Sequence, residues 1–133
     1  MTLTKDQSKE IVDDLFIEIF NRKNFDLVDK LYTKHAILYG ENEEFVGSEA
    51  IKKLVIRRSK AIPDLHFIIE DTIIEGDKTA IRWRAAGKAL SNFAGFKAGH
   101  SLNYWGTTMW EVDTEGKIEK TWFNSSLLDI AST

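Results

Sequence analysis

Pro63 is the only proline in this chain of 133 residues, and it separates two stretches whose hydrophobic periods differ. Before it, apolar residues recur every three or four positions, the spacing of one helix face. After it they tend toward alternation, the spacing of a strand. Thr4 with Gln7 fits a capping box, in which the Thr oxygen accepts an orphan amide hydrogen and the Gln reaches back to the cap. Ile11, Val12, Leu15, Phe16 and Ile19 then form an inward stripe, with Asp13, Asp14 and Glu18 opposite. Asn24 or Asp26 can cap a short second helix carrying Leu27, Val28 and Leu31. His35 to Tyr39 is a short apolar run ended by Gly40, and Phe45 with Val46 forms the returning edge of a small hairpin. Gly47-Ser48 opens a third helix, with Ile51, Leu54, Val55 and Arg58 on one face. Pro63 closes this half, because proline lacks the amide that a helix interior needs.

Four long strands follow. Leu65 to Glu75 ends at the turn dipeptide Gly76-Asp77, and Thr79 to Leu90 comes at once. A loop of small residues, 91–99, precedes Ser101 to Val112. A second turn, 113–116, leads into Lys117 to about Leu128. Helices first and antiparallel strands afterwards predict an α+β fold, with helices packed on one face of a bent sheet. No linker or repeat divides the chain, so residues 1–133 are expected to form a single domain.

Charge and residue usage narrow the function classes. Eighteen basic and twenty-one acidic residues give a formal charge of −3, which disfavours nucleic acid as a partner. Of the five positive charges in KKLVIRRSK (52–60), Lys52, Lys53, Arg57 and Lys60 read as the solvated face of the third helix, and no aromatic is interleaved for base stacking. Without cysteine there are no disulfides, thiol nucleophiles or thiolate metal sites. No apolar run is long enough for a signal peptide or a membrane span, so the expected location is the cytoplasm. His35, His66 and His100 lie on different elements with no paired spacing, so no metal is expected, and no motif implies a cofactor. Four Trp, eight Phe and three Tyr can either fill a core or line a small-molecule pocket.

Several segments together resemble a known family. They are Pro63-Asp64-Leu65-His66-Phe67, Gly76-Asp77 before Arg82-Trp83, Gly95 with Gly99, and Gly116-Lys117-Ile118 before Trp122. Their order and spacing resemble the SnoaL-like polyketide cyclase group of the nuclear transport factor 2-like superfamily, over nearly the whole chain. The resemblance implies a cone in which three helices close over a strongly curved, mostly antiparallel sheet. It also implies a largely apolar cavity, a homodimer, and a small apolar or aromatic organic ligand. Some members close rings by intramolecular aldol chemistry with an acidic residue as acid/base, and related enzymes isomerise steroids or hydrolyse epoxides.

The catalytic carboxylates that the resemblance implies are not at the matching positions. In many such sequences an Asp lies four residues after the Trp of the last strand, whereas here Ser126 stands at that spacing from Trp122. Asp129 reaches the same place only through a register shift. The epoxide hydrolase pattern has an acid two residues from an Arg, and this chain has Arg82-Trp83-Arg84. The steroid isomerase pattern has a protonated Asp where this chain has Thr108. His35 and Tyr39 are then the candidates for a catalytic role, His35 as a general base and Tyr39 as a donor to the ligand. An exposed His and an interfacial Tyr are the alternatives.

Strand alternation supplies the pocket candidates. Leu102, Tyr104, Gly106, Thr108, Trp110 and Val112 share one face of the third long strand, so Tyr104, Thr108 and Trp110 are expected in the pocket. On the last strand the same alternation turns Ile118, Lys120, Trp122, Asn124 and Ser126 inward, adding Trp122, Asn124 and Ser126. Phe16, on the inward stripe of the first helix, joins them. For the aromatics, plain core packing is the competing role. The opposite face of the third strand, with Trp105 and Met109, is the expected homodimer contact. Two functions stay open: a cyclase- or isomerase-like enzyme acting next to a carbonyl, and a non-catalytic ligand-binding or protein-interaction module.

Overall fold

Thr4 caps the first helix as its spacing predicts. Its Oγ1 accepts the Gln7 amide hydrogen at 3.1 Å, and Gln7 Oε1 accepts that of Thr4 at 2.9 Å. The computed structural model describes residues 3–40, 42–92 and 97–126. The first helix, α1, is α-helical over Lys5–Asp13 and continues as a π-helix over Asp14–Asn21. The wider π turn, marked by the Arg22 amide bonding to Ile17 O at 2.9 Å, holds more residues than the 3.6 of an α-helix. Two rows spaced by four, Ile11-Leu15-Ile19 and Val12-Phe16-Phe20, therefore stay on one side, and all six residues are buried.

The second helix is short. A 3-10 turn, Phe25–Leu27, runs into α2, Val28–Leu31, and Asn24 precedes the turn without a side-chain cap bond. The first strand, β1 (Tyr32–Tyr39), starts three residues earlier than the apolar run suggests. β2 (Glu44–Val46) returns antiparallel to it, and α3 (Ser48–Ala61) follows. The remaining strands are β3 (His66–Glu75), β4 (Lys78–Lys88), β5 (Ser101–Val112) and β6 (Ile118–Ser125).

The six strands form one curved sheet in the order β2-β1-β6-β5-β4-β3. Every neighbouring pair is antiparallel except β1 and β6, which run parallel and bring the helical half of the chain against its last strand. The fold is α+β, as the order of periods predicts. Its core lies between the inner sheet face and the helices, centred on Phe16, Ile19, Ile51, Trp83 and Trp110, all fully buried. Side chains of this size contribute roughly 1.5–3 kcal/mol each when removed from water. Asn21 joins the two halves: its Nδ2 donates to Phe67 O at 2.9 Å and its Oδ1 accepts the Phe67 amide hydrogen at 2.7 Å.

On β5 every even-numbered residue from Leu102 to Val112 is buried, as the alternation predicts. On β6 the alternation fails. Ile118 is buried, Glu119 and Lys120 are both exposed, and Thr121 is buried. The pairing with β5 slips by one residue between Glu111 and Val112: Val112 faces Ile118, Glu111 faces Lys120, and Trp110 faces Thr121. This bulge moves one residue out of the pattern, and every residue beyond it changes face. Thr121 thus shares the inner face, whereas Lys120, Trp122 and Asn124 point away from it, contrary to the uninterrupted alternation expected from the sequence.

Candidate functional site

Between α1, α3 and the inner faces of β1, β5 and β6 lies a cavity of about 190 Å³. Its apolar walls are Leu15 and Phe20 of α1, Leu38 and Phe45 of the β1–β2 hairpin, Ile51, Leu54 and Val55 of α3, and Phe123. Six polar side chains reach the same space: Tyr32, Arg58, Tyr104, Thr108, Thr121 and Ser125. An apolar cavity of roughly 150 Å³ accepts benzene, so this one has room for a single ring and a small substituent.

Arg58 sets the electrostatics. The inward stripe of α3, Ile51-Val55-Arg58, carries the side chain into the core, where it is only 9% exposed. Its guanidinium carbon lies 4.5 Å from the Phe20 ring centroid, 4.8 Å from Phe67 and 5.7 Å from Phe123. Aromatic faces attract such a cation, but they do not neutralise it. Burial pushes its pKa down, partly offset by Tyr104 and Tyr32, and no carboxylate pairs with it among the described residues. Guanidinium groups nevertheless stay protonated in proteins, so the cavity holds a positive charge that no carboxylate among the described residues balances.

Tyr32 and Tyr104 complete a polar corner around Arg58. Burial raises the pKa of both phenols, and the nearby Arg58 charge works against that rise. Both are neutral at physiological pH and can donate. No fully enclosed side-chain nitrogen or oxygen lacks a partner among the described residues, so these unpaired hydroxyls open onto the cavity. Thr108 is occupied differently: its Oγ1 accepts the Trp83 Nε1 hydrogen at 2.9 Å. Trp83 backs the cavity wall, 5.1 Å from Phe123 and 5.7 Å from Tyr104, ring centre to ring centre.

The residues singled out in the sequence are divided by this geometry. Tyr104 and Thr108 line the cavity. Phe16 and Trp110 are fully buried behind it, Phe16 against Phe20 and Phe67. Trp122 lies on the opposite sheet face, where it stacks on Tyr39 with ring centres 5.4 Å apart and planes 14° apart. Asn124 is exposed, and Ser126 Oγ accepts the Trp105 amide hydrogen at 3.2 Å at the end of the β5–β6 pairing. His35 is exposed on β1. Neither His35 nor Tyr39 lines the cavity, and Asp129 and Gly95 lie outside the described residues. The bulge is the physical reason for the misplaced β6 set: Thr121, Phe123 and Ser125 stand where Trp122, Asn124 and Ser126 were expected.

Arg82 and Arg84 flank Trp83 but face outward. Arg82 bonds Asp71 with Nε at 2.8 Å, and Arg84 Nε lies 2.9 Å from Glu70 Oε1, both acids coming from β3. Reasoning from the sequence placed Arg58 on the inward face of α3 without assigning it a role. The signal was present: one cation within an otherwise apolar stripe.

Residues 14–121 match the family model of the SnoaL-like domain, and the chain belongs to that family. Solved structures agree on the fold. A candidate SnoaL-like polyketide cyclase from Jannaschia sp. CCS1 superposes with a TM-score of 0.86 at 20% identity, over 96% of this chain and 90% of that one. TsrD from Streptomyces laurentii gives 0.85 at 18% identity, over 98% and 96%. A SnoaL-like polyketide cyclase from Agrobacterium tumefaciens gives 0.74 at 17% identity, over 88% and 89%. Among curated proteins none matches this chain in sequence.

Proposed function

We propose that this protein binds a small, largely apolar organic molecule of about one ring in the cavity between its helices and sheet. The observation that carries the reading is the 190 Å³ cavity itself, apolar on most sides with a few polar groups converging at one corner. A ligand that binds only the native state raises the melting temperature by mass action. The test is a thermal-shift series with single-ring compounds against the wild type and Leu54→Trp, whose indole would fill the cavity. Shifts in the wild type that vanish in Leu54→Trp support the reading. Shifts that persist in the variant, or none in either protein, sink it.

A second reading, cyclase- or isomerase-like chemistry beside a carbonyl, has its own support. Arg58, Tyr32 and Tyr104 are three donors at one corner, suited to holding an enolate oxygen, and two of the solved relatives carry cyclase descriptions. The missing part is a base, because no carboxylate or imidazole lines the cavity among the described residues. Exchange of the α-proton of single-ring ketones into deuterated water tests this reading. Asp129, the carboxylate nearest in sequence to Ser125, is the base to change. Exchange lost in Asp129→Asn but kept in His35→Ala and Tyr39→Phe supports it, and no exchange by the wild type removes it.

The reading also pairs two copies through the outer sheet face, on the support of Trp105 at 53% exposure and Met109 at 38%. Light scattering on the wild type and Trp105→Glu tests it: a dimer that becomes a monomer in the variant agrees, and a monomeric wild type does not.

A further inference from the structure

We infer that the cavity ligand is an anion, a carboxylate on a single apolar ring, whose charged end pairs with Arg58 while its ring occupies the apolar remainder. The inference rests on the ligand-binding reading above and adds a charge to it. Arg58 is a cation nine-tenths buried, held on the faces of Phe20 and Phe67, with no acidic partner among the described residues. A buried charge without a counter-charge is destabilising, and a neutral ligand leaves that deficit in place. A carboxylate removes it and fits the planar fork of guanidinium donors.

The neighbouring groups suit the same ligand. Tyr32 and Tyr104 are neutral phenols beside Arg58 whose hydroxyls have no protein partner among the described residues. Each can donate to a carboxylate oxygen, whereas a cationic ligand would find no acceptor charge among the described residues of the lining. The size limit excludes long chains and fused ring systems: at about 190 Å³ the cavity has room for little more than one ring and its carboxylate. Among the described residues its walls offer no second charge, so a dianion would leave one carboxylate without a partner there.

The test is calorimetric titration at neutral pH with three probes of nearly one shape: benzoate, benzamide and toluene. Wild-type protein is expected to bind benzoate about tenfold or more tightly than benzamide, the usual advantage of a hydrogen bond to a charged group. Arg58→Met is expected to abolish that preference while toluene binding stays within about threefold of wild type. Arg58→Gln keeps a polar head without the charge and is expected to lose the preference too. Equal wild-type affinities for benzoate and benzamide, or a preference that survives both substitutions, would overturn the anion inference while toluene binding leaves the pocket intact. Failure of toluene as well as benzoate to bind the wild type overturns the ligand-binding reading itself, and the anion inference with it.

Discussion

Trp83 lies directly over Gly106 on the neighbouring strand, where the indole takes the space a side chain would fill. The two residues are register partners on β4 and β5. A methyl group on Gly106 would collide with Trp83 Cζ2 and with the backbone carbonyl oxygen of Asn124, and would stand 2.6 Å from Trp83 Cη2. The absent side chain is what lets Trp83 lie flat enough to bond Thr108 and back the cavity.

Gly106→Ala is therefore expected to destabilise the protein by about 2–3 kcal/mol, since the carbonyl cannot move without breaking the β5–β6 pairing. Urea unfolding checks this. Gly76→Ala meets no atom within 4 Å, so its cost is confined to its left-handed backbone, about 1 kcal/mol. If the two variants lose equal stability, the close packing of Trp83 on Gly106 is not limiting.

Arg58→Met is expected to stabilise the ligand-free protein by about 1–2 kcal/mol, because it exchanges a buried cation with no acidic partner among the described residues for an apolar side chain of similar length. Thermal unfolding without ligand reads this directly. A lower melting temperature would mean that the three aromatic rings compensate the guanidinium fully.

Asn21→Ala is expected to cost about 1–3 kcal/mol, more than an ordinary half-buried polar substitution. It removes the amide that satisfies both backbone groups of Phe67 at the start of the edge strand β3. Hydrogen exchange at the Phe67 amide is the specific readout, and its protection should fall further than that of β5.

Asp14 stands at the junction of the α and π turns. Burial, then Glu10, Glu18 and Asp13, raise its pKa. A carboxyl raised on folding holds its proton more tightly in the native state, so its ionised form opposes folding. That penalty is absent below the unfolded-state pKa and complete above the folded one. Asp14→Asn is thus expected to add about 0.5 kcal/mol at neutral pH and nothing once acid has protonated the carboxyl in both states. Melting temperatures of the two proteins compared across that range check the sign.

The stack of Tyr39 on Trp122 joins the parallel strands β1 and β6 on the face away from the cavity. A double-mutant cycle with Tyr39→Leu and Trp122→Leu is expected to give a coupling of about 0.5–1.5 kcal/mol. Ligand affinity should not change in either single variant, since neither ring lines the cavity.

Much of this was legible beforehand, for reasons that differ by element. The Thr4–Gln7 box, the inward stripe of α1 and the alternation of β5 are local patterns, and each appears as its spacing predicts. The π turn of α1 was not legible, because i to i+5 bonding leaves no mark on the order of side chains. Nor was the β6 bulge, which is a property of the pairing with β5 and is flanked by Glu119 and Lys120, ordinary residues for an exposed strand. Arg58 was visible as a cation in an apolar row. Its meaning depended on what faces it across the cavity, and that is a relation between α1, α3 and β5 rather than within α3.

The bulge in β6 also bears on how residue roles carry from one cavity of this kind to another. Removing one residue at Glu119 or Lys120 would take out the bulge and leave Thr121, Phe123 and Ser125 on the inner face, because Ile118 would then be followed by a single outward residue before Thr121. The extra residue, rather than any side chain, decides which wall is presented, since the same strand paired without the bulge would turn Trp122, Asn124 and Ser126 inward. Between relatives of this chain, residue roles counted along the strand from Ile118 therefore transfer only between chains that share the extra residue.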